Sequence, residues 1–88
     1  MVKHNNQWGT VCDDSFISGI STNAQSACYT LGLNGGSAQN GYTYTGSEPF
    51  LMDGISCASS TTNFLSCSHN GWGNHDCGNG ENVLLTCT

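Results

Sequence analysis

Six carboxylates stand in an 88-residue chain whose basic residues amount to Lys3 alone: Asp13, Asp14, Glu48, Asp53, Asp76 and Glu81. Carboxylates without basic partners are ligands for hard divalent cations, which take oxygen donors and complete their shell with backbone carbonyls and water. Asp13 and Asp14 directly follow Cys12, Asp76 directly precedes Cys77, and Glu81 lies shortly after Cys77. A bond between Cys12 and Cys77 would therefore bring Asp13, Asp14 and Glu81 near one another. Against this stands the ordinary use of Asp as a turn former, through hydrogen bonds to its own backbone.

The cysteines are the second chemical resource: six of them, at 12, 28, 57, 67, 77 and 87. Cys67-x-His69 and His75-x-Cys77 offer thiolate and imidazole, the donors of tetrahedral zinc. Their spacing is not that of a two-plus-two zinc module, and committing Cys67 and Cys77 to a metal would orphan Cys12 and Cys57. An even cysteine count in a short chain points instead to three disulfides and an oxidising compartment. A chain of this length buries only a modest share of its unfolded surface, so covalent cross-links are a common remedy.

Catalysis finds little support. There is no G-x-S-x-G elbow, and Asp13 and Asp14, read as neighbours on a strand, would point apart. The net charge of −5 excludes phosphate-neutralising contact with nucleic acid and disfavours an anionic membrane. No apolar run approaches the roughly 20 residues that span a bilayer. No charged-then-apolar leader opens the chain, which reads as one module of a longer secreted or cell-surface precursor.

The elements that must position these groups are short. A helix is expected from Asn23 to Leu31, with Ser21, Thr22 and Asn23 offering capping oxygens and Ala24, Ala27, Cys28 and Leu31 on one face. Gly32 sits where a left-handed cap would end it. The segment Gly35 to Gly41 reads as a loop. Strands are expected over Trp8–Cys12, with Trp8 in the core, over Phe50–Cys57 and over Val83–Cys87. Asn70-Gly71, Gly73-Asn74 and Asn79-Gly80 mark a long loop over 68–82. The fold class is α+β: a small curved mixed sheet cradling one helix, with long disulfide-pinned loops, in one domain over residues 1–88.

Spacing alone leaves many cysteine pairings open. Cys28 on the helix and Cys87 at the end of a strand could staple helix to sheet, Cys57 and Cys67 enclose a loop of moderate size, and Cys12 and Cys77 then remain. Each bridge would contribute roughly 2–4 kcal/mol by restricting the unfolded chain.

Several motifs together resemble the scavenger receptor cysteine-rich domain family. They are Trp8-Gly9-Thr10-Val11-Cys12-Asp13-Asp14; Ala24-Gln25 through Cys28 and Leu31-Gly32; Met52-Asp53 ahead of Cys57; Cys67-Ser68-His69-Asn70-Gly71-Trp72-Gly73; and His75-Asp76-Cys77-Gly78 with Glu81. The resemblance spans nearly the whole chain and implies the pairing Cys12–Cys77, Cys28–Cys87 and Cys57–Cys67. Where many members carry a further cysteine after the helix, this chain has Leu33, and the strand that usually opens the family domain, ahead of the Trp8 region, is expected to be missing.

The resemblance also implies Ca²⁺ at Asp13, Asp14 and Glu81 and a second cation position at Asp53 and Asp76, with Mg²⁺ as an alternative there. It implies a non-catalytic extracellular module for protein, anionic-glycan or microbial surface ligands. Basic-patch recognition, which other members use, does not carry over to a chain without arginine. Trp72 and the pair Tyr42 and Tyr44 are candidate ligand contacts, Trp72 having the alternative role of packing its own loop. The competing reading is a cation-independent structural or interaction module of a larger protein, such as the non-catalytic region of a protease.

Overall fold

His4-Asn5-Asn6-Gln7 turns the first strand back on the second. Asn5 and Asn6 have φ of 49° and 64°, a left-handed pair that Asn tolerates and that matches the twist of a two-residue hairpin. The computed structural model of the chain describes residues 1–14, 16, 19–59 and 61–88. In order they form β1 (Val2–His4), β2 (Gln7–Val11), α1 (Thr22–Thr30), β3 (Gly36–Tyr42), β4 (Phe50–Met52), a 3₁₀ turn (Phe64–Ser66) and β5 (Asn82–Cys87).

The class is α+β with one helix, as expected, and the strands divide between two sheets. In the first, β2 is flanked by antiparallel β1 and parallel β4; in the second, β3 pairs antiparallel with β5. The two meet at a bridge between Cys12 and Asn82. Strand β1 precedes the Trp8 region and was not among the expected strands. Strand β4 keeps only Phe50–Met52 of the expected Phe50–Cys57, and Ser56 bridges to Ser68 instead.

Two expectations are corrected. The segment Gly35 to Gly41 is not a loop: most of it is β3, paired residue by residue with β5 from Gly36↔Cys87 to Gln39↔Leu84. A run of Gly, Ser, Gln and Asn has little strand preference, so here the partner strand dictates the conformation. Gly36 is required by proximity, since a Cβ there would lie 2.0 Å from the Thr86 carbonyl oxygen and 2.8 Å from Cys28 Sγ. Trp8 is not a core residue. It pairs across the hairpin with Lys3, whose Nζ lies 5.6 Å from the ring centroid, and it remains 52% exposed.

The helix begins where Ser21 Oγ accepts the Ala24 N–H at 3.2 Å. It ends at Gly32, whose φ of 79° is the left-handed cap that its position predicts. Its buried face is small and partly polar: Asn23, Ala24, Ser26 and Cys28. Asn23 is more than a capping residue; its side chain donates to the Ile55 carbonyl and accepts the Cys57 N–H, each at 3.0 Å, tying helix to loop. Val11, Phe16, Met52, Ile55 and Phe64 complete the core against this face.

All three disulfides take the expected pairing, Cys12–Cys77, Cys28–Cys87 and Cys57–Cys67, with Cα separations of 6.2, 5.6 and 4.8 Å. The second joins α1 to β5 and the third closes the loop beyond β4. No helix of the described residues is long and apolar enough to cross a membrane.

Candidate metal centre

Because β2 and β4 run parallel, the residues that follow them leave the sheet at the same end. The Cys12 N–H donates to the Met52 carbonyl at 3.0 Å, so Asp13 and Asp14 emerge beside Asp53. The Asp13 N–H donates in turn to the Glu81 carbonyl at 2.8 Å, which draws in the start of β5. The Cys12–Cys77 bond delivers Asp76. Four stretches of chain thus converge, and five of the six carboxylates with them.

They form two overlapping trios. One carboxylate oxygen each from Asp13, Asp14 and Glu81 lie within 4.8 Å of one another, and so do those of Asp14, Asp53 and Asp76. Asp14 belongs to both, whereas the sequence reading placed it only with Asp13 and Glu81. Asp13 and Asp14 are not strand neighbours pointing apart: β2 ends at Val11, and beyond it both turn toward Glu81. Sulfur of Cys77 also lies 3.8 Å from Asp14 Oδ2 and from Asp76 Oδ1.

The backbone holds several of these side chains in place. Asp13, nearly buried, accepts the Gly41 N–H through Oδ2. Glu81 Oε1 accepts the Gly78 N–H at 3.0 Å, and Asp53, 4% exposed, accepts the Gly54 N–H at 2.8 Å. The Asp53 carbonyl also accepts the Asn70 N–H at 3.0 Å, anchoring the loop that leads to Asp76. Asp14 faces the others from an exposed position.

The electrostatic consequence falls on Asp14. Its carboxyl is pushed up from 3.8 to about 6, by partial desolvation first, then by the charge of Asp53, a hydrogen bond with Asp76, and the charges of Asp76 and Glu81. Lys3, the chain's one basic side chain, lies over Trp8. Oxygen donors crowded in this way suit a hard divalent cation, which would neutralise the repulsion that an empty cluster carries. The residues fit such an ion.

The sixth carboxylate, Glu48, is engaged elsewhere. It accepts the Tyr44 hydroxyl, which holds the glutamate below and the tyrosine above their ordinary ranges. Tyr42 is exposed on β3, and Tyr44 is half-buried. Trp72 packs its loop: it is half-buried against the core, stacked on His4 at 3.9 Å with 8° between planes, and meets the His69 edge at 4.7 Å. Its stack with His4 was not legible in the sequence, because it joins the first strand to the distant loop.

Cys12, His75 and Cys77 lie close enough to group as metal donors, but the two cysteines are bonded to each other and no cysteine is free. His69 Nδ1 accepts the Gly71 N–H at 3.2 Å and His75 Nδ1 accepts the Cys77 N–H at 3.1 Å, local bonds that organise the loop.

Known proteins share this fold. The scavenger receptor cysteine-rich domain family matches residues 1–88. The mouse macrophage receptor MARCO is 34% identical over 87 residues, which is 99% of this chain and 16% of the receptor. The chain thus spans a small part of the length of that curated relative. Among solved structures, the dimeric form of the SRCR domain of mouse MARCO superposes with a TM-score of 0.87 at 34% identity, covering 99% of this chain and 81% of the other. The third SRCR domain of murine neurotrypsin superposes with a TM-score of 0.76 at 28% identity, covering 93% and 76%.

Proposed function

The chain belongs to the scavenger receptor cysteine-rich domain family, and from that premise we propose that it is an extracellular, non-catalytic binding module whose ligands are held through a Ca²⁺-dependent acidic site. The observation that carries the reading is the convergence of five carboxylates on two trios that share Asp14. Asp13, Asp14 and Glu81 would hold one ion; Asp53 and Asp76, with Asp14, would hold a second, Ca²⁺ or Mg²⁺. Bound there, the ion supplies positive charge and free coordination positions to a ligand's carboxylate, sulfate or phosphate.

The side chains have distinct tasks. Asp13 and Glu81, fixed by backbone N–H groups, set the position of the first trio. Asp14 is the exposed member that joins the two. Asp53 is held by Gly54 and secures the neighbouring loop through its carbonyl. The ligand class that suits such a surface is a protein, an anionic glycan or a microbial surface polymer, presented to one module of a larger secreted or cell-surface protein. We carry over one further property from the mouse MARCO domain, its dimeric form, and read this module as one that presents its acidic site in pairs, raising avidity.

The test is adhesion of the purified module to a sulfated polysaccharide surface. EDTA is expected to abolish adhesion, and added Ca²⁺ to restore it, while all three disulfides stay intact. Adhesion indifferent to chelation would overturn the reading.

A further inference from the structure

Four Asn-Gly pairs stand in the chain, at 34–35, 40–41, 70–71 and 79–80. Asn before Gly carries a latent reaction, because a glycine backbone nitrogen, unshielded by a Cβ, can attack the preceding side-chain carbonyl. The attack needs a backbone N–H without another partner and an amide group that can swing over it. The fold meets that requirement unequally at the four places.

At three of them the chain is held. The Gly41 N–H donates to Asp13 Oδ2, and Asn40 Nδ2 donates to the Phe16 carbonyl at 2.7 Å. The Gly71 N–H donates to His69 Nδ1 at 3.2 Å, and the Asn70 amide lies against Gly54, where an added Cβ would meet its Cγ at 2.7 Å. Asn34 and Gly35 are clamped to Thr88. The Asn34 N–H donates to the Thr88 carbonyl at 2.7 Å, the Gly35 carbonyl accepts the Thr88 N–H at 2.9 Å, and Gly35 is buried.

Asn79-Gly80 is different. The Glu81 N–H donates to the Gly78 carbonyl at 2.9 Å, so Asn79 and Gly80 are the central residues of a tight turn. The Asn79 backbone carbonyl is fixed by Asn82 Nδ2 at 2.8 Å and by the Tyr44 N–H at 3.3 Å. Both residues are exposed, and neither the Asn79 side-chain amide nor the Gly80 N–H meets a partner among the described residues.

We infer that Asn79 is a self-modification site, converted to aspartate and isoaspartate by the nitrogen of Gly80. That nitrogen bonds to Asn79 Cγ and gives up its proton, the side-chain nitrogen leaves as ammonia, and a cyclic imide remains. Water then opens the imide. Addition at Cγ restores the ordinary backbone with an aspartate side chain; addition at the backbone carbonyl leaves the chain running through the side chain, as isoaspartate. Both products add a carboxylate to the turn whose Gly78 N–H holds Glu81 Oε1 at 3.0 Å, and isoaspartate also adds a backbone carbon. The lengthened turn displaces Glu81 from the first trio, so Ca²⁺ affinity falls as the protein ages. That consequence rests on the cation reading above, whereas the conversion itself does not.

The test incubates the disulfide-intact chain in EDTA at mildly alkaline pH and follows each Asn-Gly pair by peptide-mapping mass spectrometry. The mass gain of amide-to-acid conversion reports the reaction, and chromatographic retention separates isoaspartate from aspartate. A reduced, urea-unfolded sample runs alongside, as do Asn79→Gln and Gly80→Ala. Gly80→Ala is accommodated by the fold, since the added Cβ would meet only Thr43 Oγ1, at 3.9 Å, and Gly80 has no left-handed φ. In the folded chain Asn79 is expected to convert at least about fivefold faster than Asn34, Asn40 or Asn70, the scale that one engaged N–H imposes. Unfolding should bring the four rates together, and Gly80→Ala should slow conversion at Asn79. Ca²⁺ titration before and after incubation should show affinity falling in the parent and holding in Asn79→Gln. Equal rates at the four pairs in the folded chain, or a faster pair elsewhere, would overturn the site. Conversion with unchanged Ca²⁺ affinity would overturn the displacement of Glu81. Conversion at Asn79 in a chain that binds no Ca²⁺ at any age would overturn the cation reading and leave the modification standing.

Discussion

Asp13 and Glu81 are joined twice over: the Asp13 N–H donates to the Glu81 carbonyl at 2.8 Å, and their carboxylates lie in the same trio. The backbone bond belongs to the seam where β2 meets β5, beside the bridge of Cys12 and Asn82. The contact that joins the two sheets therefore also sets the spacing of the first carboxylate trio. Disturbing the seam should disturb the site, and the Cys12–Cys77 bond lies beside it.

Removing that bond with paired Cys12→Ala and Cys77→Ala substitutions should cost about 2–4 kcal/mol of stability. It should also weaken Ca²⁺ binding, because Asp76 is no longer tied to Cys12. Removing Cys57–Cys67 instead, which closes a loop with a sequence separation of 10, should leave Ca²⁺ affinity nearly unchanged. Urea denaturation and calcium titration of both double variants separate the effects. Equal losses of affinity in the two would contradict the seam's role.

Asp14→Asn should act in opposite directions on the two states of the site. Without cation it removes a carboxylate from among like charges, and the folded chain should gain stability of up to about 1 kcal/mol, the scale of exposed charge interactions. That gain would appear as a few degrees in the thermal midpoint of so small a domain. With cation the same change removes a donor from both trios. Thermal unfolding in EDTA and in Ca²⁺ should therefore rank the two proteins in reverse order.

The raised carboxyl of Asp14 gives a defined pH window. Its folded value of about 6 lies above the ordinary 3.8, so the folded chain holds this proton more tightly than the unfolded chain does. In EDTA, this contribution to stability is fully present below about pH 4 and is lost as pH rises through about 6. Cations compete with the same proton, so Ca²⁺ affinity should rise across that range. Denaturation in EDTA at pH 4 to 7 checks the sign, with Asp14→Asn as the reference that lacks the slope.

Much of this fold could be read from local signals. Ser21 and Gly32 bracket the helix, and the even cysteine count announced three bonds, whose pairing the family resemblance supplied. The rest depended on distant partners. Gly36-Ser37-Ala38-Gln39 becomes a strand because β5 lies alongside and the Cys28 sulfur leaves room only for glycine. Trp8 stays exposed on the hairpin face that it shares with Lys3, a placement set by the pairing of β1 with β2 across a turn of two asparagines. Asp13, Asp14 and Glu81 were grouped by type and by neighbouring cysteines, and Asp53 with Asp76 only through the family resemblance, yet the double membership of Asp14 was hidden. It follows from the parallel pairing of β2 with β4, which no nearby residue signals.

Gly36→Ala tests that account of β3. The added methyl would meet the Thr86 carbonyl at 2.0 Å, so β3 and β5 must separate locally. A loss of about 1–3 kcal/mol is expected in urea denaturation, in the range of overpacking. Exposed Gly73, whose Cβ would meet nothing within 4 Å but whose φ is 79°, should cost less as Ala, about 1 kcal/mol from backbone conformation alone. A Gly36→Ala protein as stable as the parent would mean that the close approach does not constrain the strand.

The central claim, that the shared acidic cluster is a cation site, is tested most directly by calorimetric titration of the disulfide-intact chain with Ca²⁺ at neutral pH, beside Asp14→Asn. The account predicts saturable binding of one or two ions per chain, with affinity lowered on the order of tenfold or more in the variant, about 1.4 kcal/mol. No saturable heat from the parent chain, or identical isotherms from both proteins, would contradict it.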